Sequence, residues 1–129
     1  GDVLDDAAAA TADGAPAALS LVLHRAAMSG ASPIGLLRAL QRAFSRLHTA
    51  QSFVAAGEPP AAAIKKLRPP VFFKEQRAFE ARLRAWSLKR LDTALEMLIS
   101  AELDAKSTGA PAREIVERTA LRLAHMGRR

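Results

Sequence analysis

The sequence predicts an all-α protein, an irregular bundle of six or seven helices. Three features predict it. Apolar residues recur at three- and four-residue spacing through most of the 129 residues. No stretch alternates apolar and polar residues long enough to make a strand. Proline and glycine stand between the periodic segments, where helices start and stop, and seldom inside them.

The long stretch Ser32–Ala56, SPIGLLRALQRAFSRLHTAQSFVAA, sets the pattern. Ser32 can cap the first free amides, and Pro33 takes the first helical position, where a missing N–H costs nothing. Gly57 can turn left-handed past the last turn. Leu37, Leu40, Phe44, Leu47 and Val54 make an apolar stripe, widened by Leu36, Ala43 and Ala50. About 24 residues at 1.5 Å each give a rod of roughly 36 Å, as long as a small domain is wide. Such a face requires other helices to cover it.

The remaining elements follow in order. Val3 to about Ala12 is alanine-rich, with Asp2, Asp5 and Asp6 near its start, where carboxylates oppose the helix dipole. Asp13-Gly14 breaks it. A second helix from Ala15 to Ser29 turns Leu19, Val22, Leu23 and Ala26 to one side. Pro59 to Leu67 can add a turn or two. Pro69-Pro70 then forces an extended break. Val71–Trp86 is expected as a helix, with Phe72, Gln76, Phe79 and Leu83 on one side. Ser87 caps the next, Leu88 to about Thr108, with Leu88, Leu91, Leu95, Leu98, Ala101 and Ala105 inward. Gly109 stops it. The last helix starts near Pro111 and faces Ile115, Val116, Ala120, Leu123 and Met126 inward.

Length and composition bound the function. The chain has room for one domain, 1–129, and one core. It has no cysteine, so disulfides and thiolate metal sites are ruled out. No apolar run reaches the roughly 18 residues of a membrane span, and no signal peptide opens it. Gly1 ahead of an acidic helix reads as the remainder of a cut tag, which suggests a piece of a longer protein. No phosphate-binding loop, HExxH or GxSxG motif occurs. His24, His48 and His125 are too scattered for metal-ligand spacing. Glu102 and Lys106 read as an i,i+4 surface pair rather than an acid–base couple. No catalytic residue, cofactor or metal is expected.

Charge is distributed unevenly within a formal net of +6. Residues 1–31 carry four Asp against Arg25, and residues 65–90 carry nine Lys or Arg against Glu75 and Glu80. This suits a polyanion or an acidic protein surface, or equally a solvated face. Two constellations stand out. Arg38, Arg42 and Arg46 step along the long helix every four residues as a basic ridge, unless they merely face water. In KKLRPPVFFKEQRAFEARLRAWSLKR, the bases Lys65, Lys66, Arg68, Lys74 and Arg77 mix with Phe72, Phe73, Phe79 and Trp86. Bases can hold phosphates while an exposed ring stacks on a nucleobase. Phe79 reads as core. Phe72 and Phe73 are adjacent, so one of them must point outward.

The order of these signals resembles a known family. A helical hairpin leads into SPIGLLRALQRAFSRLHTAQ, then PPVFF among basic residues, then WSLKRLDTALEMLISAELDAKSTG, then a final helix. From Asp2 to Leu123 this resembles the C-terminal third of the delta subunits of bacterial DNA polymerase III, in the clamp-loader family. The resemblance implies a non-catalytic collar domain. In the family it follows an AAA+-type module and a small lid, which open the sliding clamp and are missing from this chain. It also implies sibling partners, delta-prime and gamma or tau, packed side by side into a collar, in a bacterial cytoplasm at the nucleoid-associated replication machinery. Some members place an aromatic near the position of Phe72 or Phe73 against primer–template DNA, which implies a weak DNA contact there. Others place a ring in the loop matching Ser107-Thr108-Gly109, which has none here. The alternative is a stand-alone DNA-binding helical domain working through residues 65–90. An unknown α-helical enzyme is a third reading that no motif supports.

Overall fold

A computed structural model describes residues 2–128; Gly1, with the tag reading attached to it, and Arg129 lie outside the described residues. Seven α-helices occur among the described residues: α1 Val3–Ala12, α2 Pro16–Met28, α3 Pro33–Ala55, α4 Pro60–Lys65, α5 Gln76–Ala85, α6 Leu88–Ala105 and α7 Ala112–Met126. No strand occurs among them. None of these helices is long and apolar enough to cross a membrane.

Local chemistry explains the boundaries. Asp2 accepts from the Leu4 amide at 3.1 Å, Ser32 from Gly35 at 3.2 Å and Ser87 from Arg90 at 3.2 Å, so α1, α3 and α6 each begin on a side-chain cap. Pro16, Pro33 and Pro60 occupy first helical positions.

The expected helix Val71–Trp86 is shortened. The chain bends at Arg68 and Pro69 and stays non-helical through Phe72, which is extended; Phe73–Glu75 make one 3-10 turn, and α5 begins only at Gln76. Consecutive prolines supply no amide to start a helical ladder and push the preceding residue into extended backbone. Phe72 therefore leaves the apolar side assigned to it, while Phe79 and Leu83 keep theirs.

Helix α3 is the spine. Leu36, Leu37, Leu40, Phe44, Leu47 and Ala50 are all buried along it. Helix α1 packs against α2, α3 and α7, and its buried residues Ala7, Ala8, Ala10 and Ala12 are small side chains that let backbones approach closely. Helix α6 runs antiparallel to α3. Arg38 meets Glu102 at one end of the seam and His48 meets Asp92, at 2.8 Å, at the other.

Two inward registers differ from expectation. On α6, Leu88 and Leu95 are half-buried and Ala94 takes a fully buried place. On α7, Ile115 and Met126 sit at the margin while Thr119 and Ala124 are covered.

Trp86 closes the bundle. Fully buried, it meets Phe44 edge-on, with ring centroids 5.0 Å apart. Its Nε1–H donates to the Ala12 carbonyl at 2.9 Å, which joins the end of α5 to the end of α1. Gln51 donates to the carbonyls of Leu83 and Trp86 at 2.7 and 2.6 Å, satisfying the open end of α5. Behind the indole, Gly14 and Gly127 pack backbone to backbone. A Cβ on Gly14, whose φ is +66°, would sit 2.3 Å from the Gly127 oxygen.

Removing the indole donor with Trp86→Phe leaves a buried carbonyl unpaired, so the variant should lose about 1–3 kcal/mol. Gly14→Ala should lose more than the ~1–2 kcal/mol of left-handed strain, because Gly127 must also shift. Urea unfolding followed by circular dichroism measures both; unchanged midpoints would show that this junction carries no weight.

Candidate functional site

The segment that the proline pair keeps out of helical structure is also the most exposed aromatic part of the molecule. Phe72 is 58% exposed and Phe73 70% exposed. Their rings meet edge-on at 4.8 Å, and the Lys74 ammonium lies 5.9 Å from the Phe73 ring. Both rings point outward, where one was expected. Trp86, grouped with them in the sequence, is core instead.

The cations divide into two groups. Lys66 pairs with Glu58 and stands 4.9 Å over the Phe53 ring. Arg68 donates to the carbonyls of Lys65 and Leu67, and Arg46 donates to Pro69 at 2.7 Å. Arg42, Lys65, Lys74 and Arg77 have no hydrogen-bond or ion-pair partner among the described residues. Lys65, Lys74 and Arg77, with the two phenylalanines, are what the 65–77 region offers to a ligand, and Arg42 adds a fourth free cation from α3.

The basic ridge on α3 is not a straight row. Four-residue steps on a 3.6-residue helix advance about 40° each, so Arg38 and Arg46 differ by roughly 80° around the axis. Arg38 turns toward α6, where it donates to Gln41 and to Glu102 at 3.0 and 3.2 Å. Arg46 turns the other way, to Pro69. Arg38 and Arg42 both stay exposed and Arg46 is half-buried; of the three, Arg42 alone has no hydrogen-bond or ion-pair partner among the described residues.

Between α1, α3 and the Pro69–Phe72 segment lies an open groove of about 420 Å³. Its floor is small (Ala8, Ala12, Ala39), Phe72 forms one lip, and Arg42 and Glu75 are on the rim. A second cleft of about 400 Å³ between α6 and α7 is lined by opposite charges, Glu96 and Asp104 against Arg118 and Arg122. Among the described residues, no histidine lines either space, and no group of three metal-ligating side chains converges.

Further exposed apolar side chains went unnoticed in the sequence. Ile99 and Leu103, 58% and 68% exposed, stand one turn apart on the outside of α6. Leu21 and Met28, 71% and 76% exposed, stand two turns apart on α2. Their signal is present in the sequence: each pair repeats at helical spacing but off the register of the buried stripe.

Among the described residues, Glu102 carries the one clear displacement in acidity. The hydrogen bond from Lys106 is the largest cause and that from Gln41 the next; the charges of Arg38 and Lys106 add, and burial opposes them. Together they lower the carboxyl from 4.5 to about 2. Comparison of the chain with known protein families, curated proteins and solved structures finds no match in any of the three.

Because the Glu102 value is lower in the folded state, the unfolded chain binds the extra proton between about 2 and 4.5. Its stabilising effect is complete above that window and lost as pH falls through it. Glu102→Gln should therefore flatten the acid limb of stability. Urea midpoints taken across that pH range test this, and an unaltered acid limb in the variant would remove Glu102 from the account.

Proposed function

We propose that this chain is a non-catalytic assembly module, the collar domain of a delta-type clamp-loader subunit, gripped by sibling helical domains. The carrying observation is the pair of outward apolar sites, Ile99 with Leu103 on α6 and Leu21 with Met28 on α2. Large apolar side chains at helical spacing on a domain with a well-filled core fit a surface that another helix covers. Each square ångström so covered contributes about 25 cal/mol. The sequence order that resembles clamp-loader delta subunits supplies the identity of the partners, delta-prime and gamma or tau. The mechanism is geometric: packing between neighbours fixes the orientation of whatever the domain is attached to. The sliding clamp would be reached only through the AAA+-type module of a longer subunit, within the bacterial cytoplasm.

Mixing the chain with the helical C-terminal domains of all sibling subunits should give a complex in light scattering, burying on the order of 1,200–2,000 Å² per interface. Ile99→Asp with Leu103→Asp should abolish it while leaving the melting temperature within about 0.5 kcal/mol equivalent, as for other surface changes. A chain that stays strictly monomeric beside all its siblings would defeat the proposal.

A second reading, compatible with the first, is a weak contact with primer–template or single-stranded DNA. The observation favouring it is two outward phenylalanines beside cations that have no internal partner. Binding should weaken steeply with salt, because each phosphate contact releases counterion. Reversing charge at Lys65, Lys74 and Arg77 together should eliminate it in an anisotropy titration. Retained affinity would reduce the patch to solvated surface.

A further inference from the structure

The non-helical segment Pro69–Phe72 has few hydrogen-bonded supports, and its one packing anchor is Val71, half-buried against the core. Pro69 and Pro70 have no amide hydrogen to donate, and the first backbone bond after them runs from the Glu75 amide to the Phe72 carbonyl at 2.8 Å. What ties its start to the bundle is the Arg46 guanidinium on α3, which donates to the Pro69 carbonyl at 2.7 Å. A charged donor makes this stronger than an ordinary turn bond. The residues that project from the far end of the segment are Phe72, Phe73 and Lys74.

We propose that Arg46 is a positioning residue for single-stranded nucleic acid: it holds the Pro69–Phe72 segment so that Phe72, Phe73 and Lys74 present a preset stacking edge, and it does not itself meet phosphate. This rests on the nucleic-acid reading above and deepens it. Rings already held in place spare the bound state the entropy of ordering them. The cations then split by task. Arg46 and Arg68 are spent on backbone carbonyls and Lys66 on Glu58, which leaves Arg42, Lys65, Lys74 and Arg77 for phosphates.

That split has a numerical consequence. For single strands the logarithm of affinity falls with the logarithm of salt by about 0.7 per phosphate contact. Four free cations give a slope near −3, whereas all eight basic residues from Arg38 to Arg77 considered above would give roughly −5.6.

The test is anisotropy of a fluorescent oligothymidylate across a salt series, with chymotrypsin cleavage after Phe72 and Phe73 as a readout that needs no nucleic acid. Arg46→Gln should weaken binding and speed cleavage about tenfold each, the scale of one charge-assisted hydrogen bond, with the salt slope unchanged. Lys74→Gln should instead reduce the slope by about 0.7 without speeding cleavage. Arg46→Lys, which keeps a charged donor of similar reach where glutamine has only a shorter neutral amide, should recover most of both losses. An Arg46→Gln slope reduced like that of Lys74→Gln would make Arg46 a phosphate ligand and overturn the assignment. So would unchanged affinity. If the unsubstituted chain fails to bind, the nucleic-acid reading and the role of Arg46 fall together; faster cleavage of Arg46→Gln would then show that the pin exists and only its use was misassigned.

Discussion

The buried indole of Trp86 is the contact on which the arrangement of helices depends. It follows α5 in sequence, yet its nitrogen reaches back to Ala12 at the end of α1 and its ring lies against Phe44 of α3 and Gly127 beyond α7. Arg90, in the first turn of α6, covers the ring at 5.1 Å and donates to Ala85 at 2.6 Å. Four helix ends and the middle of α3 thus converge on one side chain. A tryptophan suits the place because it offers a large apolar body and one donor, and both are used. The close approach of Gly14 to Gly127 makes room for it, and neither position tolerates a side chain without movement.

The spine helix sorts the surface chemistry by which way each residue turns. The flank toward α6 carries Arg38, Gln41 and His48, and each finds a partner there. The opposite flank carries Arg42 and Arg46 toward the groove beneath the proline segment. A small part of the sequence's charge asymmetry is consumed within the molecule in the same way. Asp13 of the acidic front binds Arg82 of the basic middle at 2.6 Å, while Asp6 meets Arg25, the one base of the acidic front, at 3.4 Å. Exposed pairs of this kind contribute little stability, about 0–1 kcal/mol each. What they do is reduce the number of cations available to an outside polyanion.

Two kinds of surface remain. One is apolar, on the outer sides of α2 and α6; the other is aromatic and basic, on the longest stretch among the described residues that is not α-helical. Their separation suits a brace held by neighbours on its helical sides, with one irregular edge left for a weaker contact. The proline pair is central to that division. Had residues 69–75 continued as helix, Phe72 would have joined Phe79 and Leu83 in the core and the edge would not exist.

How much of this the sequence determined follows from the range of each interaction. Caps, proline starts and three-to-four periodicity act within one or two turns, so the all-helical class, the length of α3 and most boundaries were readable from neighbours in the chain. The exposure of Phe72 and Phe73 was half readable, because the prolines announced a break but not how far it ran. Long-range partners were not readable. That Trp86 is core, that Arg46 holds Pro69 and that Arg38 serves Glu102 depend on residues 74, 23 and 64 positions away. Ile99 and Leu103 are legible as a helical repeat off the buried register, but only the packing of α3 and α7 on α6 shows that their side stays open. Local hydrogen bonding and periodicity decide what a segment becomes, and only the meeting of distant segments decides which of its side chains are left for a partner.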